Sequence, residues 1–187
     1  TVTSAGLSAP VGSHMRTRSR TIAATLGADA SGHRAVQVGE AAIRDADLVL
    51  VAEASQRDLV LGIVPGALKR TLTIREAGAI AESLGGASPP ESLAELRDRA
   101  SAIAARRALA GGETDVVDPQ GKDDDAYREM ARQEVPALAR LAAALFGMPA
   151  GEVEAYEAAV ADPAAFPFGA PVDADPGPES RRGRHRA

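Results

Sequence analysis

Short apolar runs alternate along this chain with stretches in which hydrophobic residues recur at helical spacing. The clearest run, residues 47–52, reads Asp-Leu-Val-Leu-Val-Ala, which is typical of a strand buried on both faces of a parallel sheet. Residues 1–6 and 67–72 are two further strand-like segments. Strands that alternate with helices predict an α/β fold, with a mostly parallel sheet in a three-layer arrangement between helices.

The helical spacing predicts five main helices, several of which have recognisable start signals. Thr73-Ile74-Arg75-Glu76 has the spacing of a capping box and predicts a helix from there through Leu84. Ser88-Pro89-Pro90-Glu91 repeats that spacing and predicts the next start, with proline at the first helical position. Pro136 lies inside the last helix and is expected to kink it or divide it in two. The five predicted helices cover residues 15–26, 55–61, 73–84, 89–110 and 127–145.

A change in composition predicts two regions, an α/β domain over residues 1–147 and an acidic, proline-rich tail over residues 148–187. Residues 151–160 have the composition of one more, acidic helix. From Asp162 onward the chain has five prolines and little to bury, so it is expected to be largely disordered. Four arginines in the last seven residues are interpreted as a solvated terminus, and no nucleic-acid partner is expected.

The absence of cysteine from all 187 residues restricts the chemistry of the chain most. It excludes a disulfide, a thiolate metal site and a thiol nucleophile within this sequence. No apolar run approaches the roughly 20 residues that span a bilayer, and no charged-then-apolar leader opens the chain. These features predict a soluble cytoplasmic protein without membrane association, and no residue pattern indicates a cofactor.

The segment Asp115-Val116-Val117-Asp118-Pro119-Gln120-Gly121 is the most suggestive of catalysis. Proline fixes its own φ and pushes the preceding residue into an extended conformation, so Asp118 is expected on a restrained loop, as suits a general acid. The plainer interpretation is a turn, with the acids at 123–125 as a helix N-terminal cap. A third interpretation is an acidic metal site of Asp115, Asp118 and residues 123–125, although their spacing matches no calcium-loop pattern.

Seven segments of the chain form an ordered set. They are Val2-Thr3-Ser4-Ala5-Gly6, the Gly12 turn with its following helix, Gly27, His33-Arg34-Ala35-Val36-Gln37-Val38, Ala46-Asp47-Leu48-Val49-Leu50, Leu72-Thr73-Ile74-Arg75-Glu76, and Asp118-Pro119 with a terminal helix. Taken in this order, over about residues 1–147, the segments resemble the low-molecular-weight protein tyrosine phosphatases and the related arsenate reductases.

This resemblance implies a four-stranded parallel sheet with a phosphate loop after its first strand. A cysteine thiolate of that loop attacks phosphorus, and an arginine with backbone N–H groups holds the phosphoryl oxygens. Asp118 falls on the family's general acid, which later helps to activate water, and Pro119 on its neighbour. Ser4 and His33 fall on positions that brace the phosphate loop by hydrogen bonds. The implied substrate is a phosphorylated protein or a small phosphate monoester.

The chain departs from the family pattern in two ways. The family's opening strand and its Cys-x5-Arg-Ser/Thr loop would precede Thr1, so the chain is expected to be the carboxyl-terminal part of a phosphatase and inactive as given. The missing strand would lie between the strands at 1–6 and 47–52. Gln120 and Gly121 replace the aromatic residues that stack on a phosphotyrosine ring. The alternative hypothesis is a non-catalytic interaction module on a degenerate phosphatase scaffold.

Overall fold

The computed structural model of the protein describes residues 1–112 and 114–168. These residues form seven α-helices, two 3₁₀ helices and a two-stranded sheet. In chain order the elements are α1 (Thr17–Thr25), α2 (Glu40–Asp45), β1 (Val49–Val51), α3 (Ala54–Ile63), a 3₁₀ helix (Pro65–Arg70), β2 (Thr71–Thr73), α4 (Ile74–Leu84), α5 (Leu93–Ala105), a second 3₁₀ helix (Arg107–Leu109), α6 (Asp124–Phe146) and α7 (Ala150–Ala161). The chain therefore combines helices with a parallel sheet, as the sequence predicts.

The sheet consists of β1 and β2, which pair in parallel with Leu50 opposite Leu72. The side chains of Leu50 and Leu72 pack with a buried cluster from α4, α5 and α6. Val49 and Val51 pack instead with a cluster from α2, α3 and the first 3₁₀ helix. This alternation is the period of two expected of strands, and it gives both sets of strand side chains a helical partner.

Two predicted strands differ from the structure. Residues 1–6 form no strand, because they meet residues 33–38 through a single parallel bridge between Gly6 and Gln37. Most of residues 67–72 belongs to a 3₁₀ helix, which has Pro65 in its first turn, where proline's fixed φ suits a helix. The Thr71 hydroxyl donates to the Ala67 carbonyl over 2.9 Å, and only from Thr71 onward is the chain extended.

The capping box at the start of α4 is confirmed. The Thr73 hydroxyl accepts from the Glu76 N–H, and the Glu76 carboxylate accepts from the Thr73 N–H. The predicted start of α5 at Ser88-Pro89 is wrong, since that helix begins at Leu93 and Ser92 caps it. A residue that precedes a proline disfavours the α conformation, so Pro89 cannot readily start a helix before Pro90.

Helix α6 runs without interruption over 23 residues, so Pro136 does not divide it. The helix ends at Gly147, whose φ of 76° is left-handed and whose position lies against the backbone of Ser88 and Pro89. A Cβ at Gly147 would approach the Pro89 nitrogen to 2.3 Å, so this helix end requires glycine for its conformation and for its contact.

The packed structure continues past the predicted domain boundary at residue 147. The predicted acidic helix at 151–160 is confirmed as α7. Phe166 is only 1% exposed and packs in one cluster with Ile22, Tyr127, Ala131 and Val160, so residues 162–168 include a buried anchor where the sequence predicts disorder. Residues 169–187, which hold the rest of the predicted tail, lie outside the described residues. Within the described ranges, no helix combines the length and apolarity needed to cross a bilayer.

Candidate functional site

The segment from Asp115 to Asp118, here called the acid loop, lies at the carboxyl ends of the two strands. Its Val116 N–H donates to the carbonyl of Ala52, the residue that follows β1, over 2.8 Å. The Arg75 guanidinium, just after β2, donates to the Asp115 carbonyl over 2.7 Å. Because ligands of open parallel sheets bind outside the carboxyl ends of the strands, the acid loop occupies the edge where a site is expected.

Asp115 ties the acid loop to the amino terminus of α3. Its Oδ1 atom accepts the Ala54 N–H over 2.8 Å, whereas the adjacent N-cap residue, Glu53, makes no side-chain cap. A carboxylate at this position satisfies an otherwise unpaired N–H group and complements the positive end of the helix dipole. The sequence did not predict this role, since the two residues are 61 positions apart.

Gln133 ties the acid loop to α6. Its Oε1 atom accepts the Val117 N–H over 2.8 Å, and its Nε2 group donates to Glu129 Oε1 over 2.8 Å. Sequence reasoning missed Gln133 because its apolar neighbours define the helix face and no motif marks a lone glutamine. Val117 directly precedes Asp118, so this contact fixes the backbone that leads into the candidate acid.

Asp118 itself is exposed on a tight turn. Its Oδ1 atom accepts the Gln120 N–H over 2.9 Å, and the turn continues through Gly121, whose φ is 75°. This arrangement agrees with the plainer sequence interpretation, in which the Asp-Pro dipeptide forms a turn. It also presents a carboxylate to solvent on a loop with four backbone or side-chain anchors, as a proton donor to a bound ligand requires.

A buried ion pair lies beneath the same edge of the sheet. Arg57 Nη1 donates to both carboxylate oxygens of Glu76, over 3.0 and 2.8 Å, and the two side chains are only 11% and 9% exposed. Glu76 also accepts the Thr73 N–H, so one carboxylate connects α3, the end of β2 and the start of α4. The sequence predicted Glu76 as a capping residue but not its pairing with Arg57.

The structure does not connect Ser4 or His33 with Asp118. Ser4 is exposed, and His33 is half-buried in a turn closed by its own N–H to the Ala30 carbonyl over 3.1 Å. Among the described residues, neither side chain forms a hydrogen bond to the acid loop. Their bracing role, which the family resemblance implies, stays a prediction.

The acids proposed as a metal site have separate partners and do not converge. Asp123 caps α6 by accepting the Ala126 N–H, as the N-terminal-cap interpretation predicts. Asp124 pairs with Arg18 of α1, and Asp125 pairs with Arg128 over 2.8 Å. No group of three or more His, Cys, Asp or Glu residues in the described part of the chain is arranged to hold a metal ion.

Comparison with known proteins assigns neither a family nor a function to this chain. No protein-family model, no curated protein and no solved structure matches this chain.

Proposed function

We propose that this chain contributes the general acid, Asp118, of a phosphate-monoester hydrolase that resembles the low-molecular-weight protein tyrosine phosphatases. Because the chain contains no cysteine, the proposed nucleophile lies on a segment outside these 187 residues, and the chain alone is inactive. The proposed substrate is a phosphorylated protein or a small phosphate monoester. The proposed location is the cytoplasm, and the proposed reaction uses no cofactor.

The observation that carries the proposal is the bond between the Val116 N–H and the Ala52 carbonyl. It fixes the acid loop at the carboxyl end of a parallel strand, where anions are bound in open α/β sheets. The proline after Asp118 and the turn bond to Gln120 restrict the conformations of the carboxylate. A phosphoryl-transfer site depends mostly on positioning and charge stabilisation, so a restrained acid at this edge suits it.

The proposed chemistry gives Asp118 two consecutive tasks. As the thiolate forms its bond to phosphorus, the bond from phosphorus to the ester oxygen breaks, and Asp118 protonates that leaving oxygen. The resulting carboxylate then takes a proton from water, which attacks the phosphocysteine, releases phosphate and restores the thiolate. The three-layer arrangement belongs to the same proposal, with an additional strand beside β1 that carries the phosphate loop.

The test supplies the nucleophile and then removes the acid. The chain is fused behind a strand, a Cys-x5-Arg-Ser loop and a helix, and hydrolysis of an aryl phosphate is measured. With the fusion active, Asp118→Asn is expected to lower kcat about 100-fold with little change in KM, since the amide cannot donate an acidic proton.

Asp125→Asn is the matched control for this substitution. Asp125 is an exposed carboxylate near Asp118 in sequence, and it pairs with Arg128. The substitution removes the same charge, and turnover is expected to stay unchanged. Full activity in the Asp118→Asn variant, or an equal loss in both variants, would exclude Asp118 as the general acid.

The competing proposal is a non-catalytic interaction module, and the lack of any cysteine is the observation that favours it. This proposal gains support if the unfused chain unfolds cooperatively as a stable monomer while the fusion, shown to be folded, does not hydrolyse aryl phosphates. If the chain is molten alone and becomes ordered when the cysteine-containing segment is added, the result favours the phosphatase proposal instead.

A further inference from the structure

We infer that Gln133 is a positioning residue for Asp118, acting through the backbone N–H of Val117; this inference rests on the proposed function. The Gln133 side chain reaches from the third turn of α6 to the residue immediately before the candidate acid. A helix of 23 residues is a rigid support, whereas the acid loop contains no regular secondary structure. The contact therefore fixes the backbone of Val117, directly before Asp118, relative to α6.

The orientation of the Gln133 amide is set by Glu129. A carboxylate can only accept a hydrogen bond, so the Nε2 group must face Glu129, and Oε1 must then face Val117. Glu129 is held in turn by Arg132, whose Nε donates to its other oxygen over 3.1 Å. The result is a continuous chain of hydrogen bonds from Arg132 to the backbone of the acid loop, with Gln133 as its central member.

Gln133 binds the acid loop at a residue closer to Asp118 than those that the other anchors bind. The bonds of Asp115 to Ala54 and Arg75, and of Val116 to Ala52, hold residues two or three positions before Asp118. The bond of Gln133 to Val117 is the last anchor from another element before the acid. Its loss is expected to leave the loop attached to the sheet but to release Asp118, and small displacements of a catalytic group reduce turnover strongly.

The test uses an isosteric variant and a swapped pair. Gln133→Met keeps the length of the side chain and the helix propensity but replaces the amide oxygen that accepts the Val117 N–H with a thioether sulfur, which is only a weak acceptor. The double variant Glu129→Gln with Gln133→Glu reverses donor and acceptor, so that Gln at 129 donates to Glu at 133 and the latter accepts from Val117. The swap preserves net charge and composition. Amide hydrogen exchange is measured on the chain as given, and kcat and KM on the fusion with its cysteine segment.

In Gln133→Met the Val117 amide is expected to exchange about fivefold faster, the effect of one lost hydrogen bond, while amides within β2 and α4 keep their rates. On the fusion, kcat is expected to fall about tenfold at constant KM, and the swapped pair is expected to restore both quantities. Restoration by the swap separates positioning from a general loss of helix stability.

Unchanged exchange at Val117 overturns the inference. Faster exchange at Val117 with unaltered kcat also overturns it, provided that Asp118→Asn still lowers kcat. In those cases the proposed function survives. If the fusion is active and Asp118→Asn has no effect on it, the proposed function fails and the inference fails with it. A variant that does not fold is replaced by Gln133→Leu, which removes the same acceptor.

Discussion

The cluster around Leu72 and the amino-terminal residues 1–38 are packed very differently. Leu72, Ala77 and Ile103 are at most 1% exposed, and they lie in one cluster formed by β2 and the helices α4, α5 and α6. By contrast, Val2 and Val36 of the amino-terminal segment are 82% and 54% exposed. Both regions contain apolar residues at regular spacing, so sequence pattern alone does not distinguish them.

The difference arises from the elements that pack against each region. The Leu72 cluster is closed by α4 and α6, which approach so closely that Gly78 lies against the backbone of Ala137. Among the described residues, the amino-terminal segment packs on the rest of the chain through a few apolar side chains. Ile22 of α1 lies in the cluster with Phe166, and Leu7 and Val38 pack against the cluster from α2, α3 and the first 3₁₀ helix. Stability is therefore expected to reside in the Leu72 cluster, and the amino-terminal segment to depend on these few apolar contacts.

Phe166→Ala is expected to have the largest effect, because it removes a buried side chain from the cluster that contains Ile22 of α1. Phe166 is buried against Ile22, Tyr127 and Val160, and deletion of a buried phenylalanine lowers the free energy of unfolding by about 3 kcal/mol. Denaturant unfolding measures this loss. Hydrogen exchange is expected to accelerate more in α1 than in β2.

Val2→Ala is the control for this prediction, since an exposed valine buries little surface and its loss is expected to be near zero. An effect of Phe166→Ala below about 1 kcal/mol would mean that residues 162–168 do not contribute to the core.

Gly78→Ala tests the other region and is expected to have an intermediate effect. A Cβ at this position would approach the Cα and Cβ atoms of Ala137 to 2.6 Å, and backbone atoms cannot yield as a flexible side chain does. Separation of α4 from α6 is expected to lower the free energy of unfolding by about 2 kcal/mol. Thermal and denaturant unfolding provide the measurement.

Gly62→Ala in α3 is the matched control. No atom lies within 4 Å of the Cβ that it adds, so only the helix propensity changes, and a gain of up to about 1 kcal/mol is expected. Two glycine-to-alanine changes in helices then have opposite signs. Equal signs would contradict the close contact between α4 and α6.

The sequence predicted those elements whose signals are local. Three elements depend on residues only a few positions apart, and all three are present: the capping box at Thr73 and Glu76, the strand β1 within residues 47–52, and the acidic helix after Gly147. The start of α5 failed because two capping patterns of equal spacing, at Ser88 and Ser92, stand close together. The two patterns differ in that Pro90 disfavours the α conformation at Pro89, the residue after Ser88.

The parts that could not be predicted depend on contacts between distant residues. Asp118 and its turn were found from sequence, because proline and aspartate act within four residues. The partners that place this turn at the sheet, Ala52 and Gln133, come from other elements, and no local pattern marks them. The predicted strand at residues 1–6 failed for the same reason, since a strand requires a neighbour along its whole length.

Helix α6 packs against both regions, and Glu134 lies between the two contact points along the helix. Tyr127 and Ala131 of α6 pack with Ile22 and Phe166, whereas Leu141 packs with the Leu72 cluster. Glu134 is half-buried, and desolvation raises its pKa above the ordinary value of 4.5. Below pH 4.5 the carboxyl group is protonated in the folded and in the unfolded chain. As the pH rises through that value, the unfolded chain ionises first, so ionisation of Glu134 opposes folding.

Glu134→Gln is accordingly expected to raise the free energy of unfolding slightly near neutral pH and to have no effect at about pH 3, where both forms are neutral. Urea unfolding at both pH values measures this difference. Glu95→Gln is the control of opposite sign, because the N–H of Glu91 and the Arg99 guanidinium lower the pKa of that exposed carboxyl, and its loss is expected to destabilise the fold near neutral pH. If Glu134→Gln had no effect on the free energy of unfolding at either pH value, the Glu134 carboxylate would be as well solvated in the folded chain as in the unfolded one.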